Sequence, residues 1–188
     1  MRLAVLASGT GSILQAIVDH GIDVSVVVVD RPCPATELAE RLGVRSVTEP
    51  RPSFGPDFER SSYSKRVVAV LEESAIDVVA MAGFGTILDT VFFDSFAGRV
   101  LNTHPALLPS FPGWHAVAAA LEHGVKVTGC TVHVATPDVD AGPILAQEAV
   151  PVLEDDDEAT LHERIKVIER ELYPRTIQEF LQYLEVSS

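Results

Sequence analysis

Cysteine is scarce in this chain: Cys33 and Cys130 are the only two in 188 residues, and no C-x-x-C spacing offers a pair of metal ligands. That usage suits a reducing cytoplasm, the expected location. Cations are scarce too. Fourteen Lys and Arg face 27 Asp and Glu, a formal net charge of −13. Nucleic acid and anionic membranes both require a basic footprint, so neither is expected as a partner. A small anionic ligand stays open, because oriented backbone amides and one Lys can hold a phosphate at any overall charge. Long apolar runs are missing as well. Hydrophobic residues make up 47% of the chain, yet the longest run, Val24 to Val29 around Ser25, is far too short to span a bilayer. The apolar start Met1-Arg2-Leu3-Ala4-Val5-Leu6 runs into Ser8-Gly9-Thr10-Gly11 without a small-residue cleavage pattern, and reads as a first strand. Repeats, linkers and low-complexity tracts are absent, so residues 1–188 are expected to form one domain.

Four short Val- and Ala-rich segments read as strands buried on both faces: Leu3–Ala7, Val24–Val29, Val78–Ala82 and Val100–Thr103. Helical patterns lie between them at Ile13–His20, Ala35–Leu42 and Ser64–Ser74. The alternation predicts an α/β fold, an open twisted, mostly parallel sheet with helices on both faces. Val127–Ala135 and Gly142–Val152 are expected to extend the sheet antiparallel at one edge. A long final helix carries Leu161, Ile165, Ile168 and Leu172 on one face, with a kink expected at Pro174 before the helix continues. The acidic run Glu154 to Glu158 suits that helix's start, where anions complement the macrodipole.

Three segments carry chemistry. Ser8-Gly9-Thr10-Gly11-Ser12 lies between a strand and a helix, where glycines let free amides face a phosphate. It lacks the G-K-[ST] ending of a P-loop, and Leu14 stands where a full G-x-G-x-x-G has its third glycine. Asp30 ends the second strand where a dinucleotide-binding fold keeps its ribose-binding acid, so a nicotinamide-dependent oxidoreductase competes as a reading. A plainer role for Asp30 is to start a turn before Pro32. The second segment runs from Asn102 through His104 to Gly113. Its prolines impose an extended loop after a strand, at the edge of the sheet where ligands bind. Asn102 and His104, two apart, make a donor pair suited to a developing oxyanion. The third, Asp138-Val139-Asp140-Ala141-Gly142-Pro143, is a turn whose carboxylate is placed to orient His104 and favour its cationic form, if the two meet.

The SGTGS loop, LNTHPALLPSFPGWHA, VTGCTVHVATPDVDAGPILAQ and LHERIKVIERELYP occur in this order over nearly the whole chain. Together they resemble the phosphoribosylglycinamide formyltransferases, folate-dependent enzymes of purine synthesis with a Rossmann-like fold. The resemblance implies a catalytic triad of Asn102, His104 and Asp140. It places the substrate phosphate and ribose at Gly11, Ser12, Ile13, Lys166 and Glu169, and the folate at Phe84, Gly85, Thr86, Ile87, Val139 and Asp140. Residues 1–100 become the phosphate-binding half and residues 101–188 the catalytic and folate-binding half. Related enzymes acting on methionyl-tRNA carry a further C-terminal domain, and the deformylases an N-terminal one. An end at Ser188 and a first strand at Leu3 point away from both.

The reaction so implied is direct attack of the amine of glycinamide ribonucleotide on the formyl carbon of 10-formyltetrahydrofolate, a consumed cosubstrate, with no metal. A homodimer is compatible with this chain. The family pattern AGFMRIL reads Ala82-Gly83-Phe84-Gly85-Thr86-Ile87-Leu88 here, so Thr86 stands where an Arg is usual. That exchange predicts a missing contact to the folate's acidic tail. Besides the oxidoreductase, a catalytically inactive binding module of the same fold is the other competing reading, opposed by retention of all three triad residues.

Overall fold

The computed structural model describes residues 1–53 and 55–187. Ser188, the last residue of the expected domain, lies outside them. The elements in chain order are β1 (Leu3–Ala7), α1 (Ser12–Asp19), β2 (Val24–Val29), α2 (Pro34–Arg41), β3 (Ser46–Thr48), α3 (Arg60–Glu73) and β4 (Val78–Met81). They continue with α4 (Thr90–Ser95), β5 (Val100–His104), α5 (Ala116–Glu122), β6 (Val127–Val134), β7 (Ile144–Pro151) and α6 (Glu158–Ser187). One seven-stranded sheet has the order β3-β2-β1-β4-β5-β6-β7. The first five strands in that order run parallel, and β6 and β7 add antiparallel at one edge, as the sequence predicts. No helix among the described residues is long and apolar enough to cross a membrane.

The strands β1 and β4 are apolar throughout because both faces of the sheet are covered. In β1, Leu3, Val5 and Ala7 join the cluster beneath α1, α2 and α6, while Ala4 and Leu6 join the cluster beneath α3 and α4. Every residue of β1 is buried, which explains a first strand without polar positions. The sequence reading omits β3, α4 and α5. β3 has three residues and α4 one and a half turns, too short for a period to register. α6 continues through a buried Pro174, and its start is set by a reciprocal cap: Asp157 Oδ1 accepts from the Thr160 amide (2.8 Å), and Thr160 Oγ1 accepts from the Asp157 amide (2.9 Å).

Candidate active site

The sheet reverses its winding between β1 and β4, and the loops that leave the carboxyl ends of β1, β4 and β5 part there around one cavity of about 420 Å³. A crevice of this position and size is where an open α/β sheet binds small molecules. The walls include Gly9 to Ile13 after β1, Gly83, Phe84 and Thr86 to Leu88 after β4, and Asn102 to Pro105 at the end of β5. Val139 and Asp140 close one side, and His162, Lys166 and Glu169 of α6 close another. Of the residues expected at the site, only Gly85 does not border the cavity. Its amide donates to Ser8 Oγ (2.6 Å) beneath the wall.

His104 and Asp140 meet, and Asn102 joins them through His133 in the same cavity, although β5 and the turn after β6 are far apart in sequence. His104 Nδ1 lies 3.3 Å from Asp140 Oδ2, and both side chains are almost fully buried. Asp140 has a φ of 55°, a left-handed conformation that Asp tolerates better than most residues. Gly142 lets this turn close, since a Cβ there would overlap the Val134 carbonyl oxygen. Asp140 Oδ2 also accepts from the Gly113 amide (2.8 Å), and His104 Nε2 donates to the Phe111 carbonyl (2.8 Å). The proline-rich loop is thereby fastened to two of the three side chains.

His133 escapes the sequence reading. It lies opposite Asn102 in the antiparallel β5–β6 register, 1% exposed, with Nε2 shared between Asn102 Nδ2 (3.2 Å) and Asp140 Oδ1 (3.6 Å). The available signal was the alternation Cys130, Val132, Val134 in β6, which sets His133 on the opposite face, the one away from the larger core. Burial by itself would raise the Asp140 carboxyl. The contact with His133, the Gly113 amide and the His104 imidazole outweigh it, and the carboxyl is held below its ordinary value.

At the other end of the cavity Gly11 caps α1 with a φ of 80°. No side chain caps the helix, so its first amides stay available to an anion. A Cβ on Gly11 would stand 2.8 Å from Leu38 Cδ2 and 3.1 Å from the Ala35 Cα, so the residue is fixed by conformation and by packing alike. Lys166 and Glu169, three apart on α6, both border the cavity but do not pair with each other. Lys166 Nζ donates to Glu163 Oε1 (2.8 Å). Burial pushes the Glu169 carboxyl up, against a hydrogen bond with Thr103.

The structure corrects one expectation. Asp30 is 1% exposed, and its carboxylate accepts from Arg31 Nε (2.8 Å), Arg31 Nη2 (2.9 Å) and Thr86 Oγ1 (2.8 Å). An acid so occupied has no oxygen turned out to a ribose, which removes the residue on which the oxidoreductase reading rested. Thr86 is likewise 1% exposed, with its hydroxyl directed at Asp30. Its side chain is turned into this buried network. Gly85 belongs to the same exchange: a Cβ there would stand 2.7 Å from Arg31 Nη2. Among the described residues no three His, Cys, Asp or Glu are grouped to hold a metal ion.

Residues 1–177 match the family model described as formyl transferase. A phosphoribosylglycinamide formyltransferase of Mycobacterium tuberculosis (strain ATCC 25618 / H37Rv) is 51% identical over 176 residues, 91% of this chain and 80% of that one. The human trifunctional purine biosynthetic protein adenosine-3 is 43% identical over 184 residues, 94% of this chain but 18% of the longer protein. Among solved structures, glycinamide ribonucleotide transformylase 1 of Symbiobacterium toebii superposes with a TM-score of 0.91 at 41% identity, over 97% of this chain and 88% of that one.

Proposed function

The chain belongs to the formyl transferase family, and from that premise we infer that it transfers the formyl group of 10-formyltetrahydrofolate to the amine of glycinamide ribonucleotide, a step of purine biosynthesis. The observation that carries the assignment of roles is the meeting of Asn102, His104 and Asp140 in one cavity whose far end is an uncapped helix start. The ribonucleotide's phosphate sits on the amides of Gly11, Ser12 and Ile13, with Lys166 as its cation and Glu169 toward the ribose. Folate lies along Phe84 to Ile87, Val139 and Asp140, where Gly85 and Thr86 act through their backbone. Residues 1–100 thus supply the phosphate loop, and residues 101–188 supply the triad and α6.

The amine nitrogen attacks the formyl carbon, and the carbonyl electron pair moves to oxygen. Asn102 Nδ2 and His104 Nε2 donate to that oxyanion, which takes the place of the Phe111 carbonyl at Nε2. Asp140 fixes the imidazole through Nδ1. As the tetrahedral intermediate collapses, the bond from carbon to N10 breaks and N10 receives a proton from the former amine, relayed by water beside Asp140. The partners are small molecules rather than nucleic acid or membrane, in keeping with a net charge of −13, and the setting is the cytoplasm.

The test is deformylation of 10-formyl-5,8-dideazafolate followed by absorbance with glycinamide ribonucleotide present. His104→Ala is expected to lower kcat by roughly two to three orders of magnitude, the scale of one lost oxyanion donor. Both KM values should change little, because the contact strengthens only in the transition state. Near-normal turnover in the folded variant would remove His104 from the mechanism.

A further inference from the structure

The chain has one tryptophan, and it is 65% exposed at the edge of the cavity. Water is a poor neighbour for an indole, and no aromatic ring among the described residues stacks on Trp114. Its neighbours along the rim repeat the pattern: Val139 is 50% exposed and Ile87 37%. Three large apolar side chains thus surround the mouth of a site in a strongly acidic protein. Chance scatter of surface apolar residues does not gather them on one rim.

The segment that carries Trp114 is held in place. Phe111 packs its ring against His123 (5.3 Å between centroids), and its carbonyl accepts from His104. Two residues on, the Gly113 amide donates to Asp140. Trp114 follows directly after this second anchor, so the backbone that presents the indole is fixed to the side chains that do the chemistry.

The chemistry at that place determines what the indole meets. The transferred carbon must lie against Asn102, His104 and Asp140, and it is attached to N10, which is bonded directly to the carrier's p-aminobenzoyl ring. A side chain one residue beyond the Asp140 contact is within reach of that ring. The ribonucleotide's phosphate, bound at the α1 start, is at the other end of the cavity. We propose that Trp114 is a binding residue for the one-carbon carrier: its indole covers the p-aminobenzoyl ring, with Val139 and Ile87 completing an apolar sleeve. The inference rests on the formyl-transfer reading of this cavity and adds a residue to it.

The test compares wild type, Trp114→Ala and Trp114→Phe in the transfer assay, with 10-formyl-5,8-dideazafolate as carrier. Trp114→Ala should raise the carrier's KM about tenfold, leaving kcat and the ribonucleotide's KM near wild type. Trp114→Phe, which keeps a ring, should recover most of the loss. In wild type the single tryptophan also serves as a probe, and its emission should respond to the carrier and not to glycinamide ribonucleotide. An active wild type whose Trp114→Ala variant keeps the carrier's KM overturns the inference alone. A wild type that transfers no formyl group removes the cavity's assignment, and this inference with it.

Discussion

At the scale of single residues, Asp140 is the most constrained group in the site. Its carboxylate meets His104, His133 and the Gly113 amide within a nearly dry pocket, and these contacts hold its pKa below the ordinary carboxylate value despite burial. A depressed pKa keeps the group ionised at and above the usual range. The charge is lost only as the pH falls through the lowered value. Asp140 therefore stays ionised from about pH 5 to 8. Asp140→Asn preserves shape and tolerates the left-handed backbone, but removes the charge at every pH. The variant should lose roughly two orders of magnitude or more in kcat throughout that interval. A pH–rate profile checks this directly: wild-type and variant rates that converge toward pH 5 would mean Asp140 is already neutral there, contrary to the structure. Asp30 is the instructive contrast. Arg31 and Thr86 hold its carboxyl down as well, yet both its oxygens are consumed, so an ionised buried acid is here a fastening and not a site.

At the scale of elements, α6 turns one face to the cavity, and the sequence reading named two of its residues, Lys166 and Glu169. His162, Lys166 and Glu169 follow helical spacing and all reach the cavity. Lys166 is paired with an exposed Glu163, a contact screened by solvent, and is readily released to a phosphate. Lys166→Met should raise KM for the ribonucleotide about tenfold and leave the carrier's KM unaltered. Steady-state kinetics with each substrate varied in turn measures both, and equal effects on the two would move Lys166 away from the phosphate. The parallel strands, the antiparallel edge and the cavity positions Asn102, His104 and Asp140 were legible because each is encoded locally, in Val-rich runs, in alternation and in the loop around His104. What was not legible depends on contacts across the sheet. His133 acquires its role from register with Asn102, and Thr86 from its distance to Asp30; neither relation leaves a trace in the local pattern. The fold accommodates Gly85 and Thr86, which stand where the family pattern has Met and Arg, around Arg31, which arrives from the end of β2.

At the scale of the whole molecule, α6 joins what the two ends of the cavity require. It packs on β5, β6, β7, α1 and α5, and its buried residues Leu161, Ile165, Leu172 and Ile177 belong to the larger core cluster. Tyr173, fully buried, reaches through that core with a hydroxyl 3.1 Å from the Met81 carbonyl and 2.9 Å from the Leu101 carbonyl. Those carbonyls belong to β4 and β5, the strands that deliver Phe84 and Asn102 to the cavity wall. One hydroxyl proton satisfies one carbonyl at a time, so Tyr173 serves as a shared donor between neighbouring strands. Tyr173→Phe keeps the ring and leaves buried carbonyls without this donor, at a cost of about 1–2 kcal/mol. For a chain of this length that lowers Tm by roughly 2–8 °C. The hydroxyl borders no part of the cavity, so kcat measured well below Tm should stay near wild type. Burial pushes the phenol well above its ordinary pKa. A raised pKa keeps the stabilisation fully present below the unfolded value, about pH 10, and loses it only as the pH climbs through the folded one. The Tm gap between wild type and Tyr173→Phe should therefore be constant from about pH 6 to 9. Thermal unfolding at several pH values decides the matter: a gap that closes within that range, or an unaltered Tm, would show that α6 does not hold the sheet through this hydroxyl.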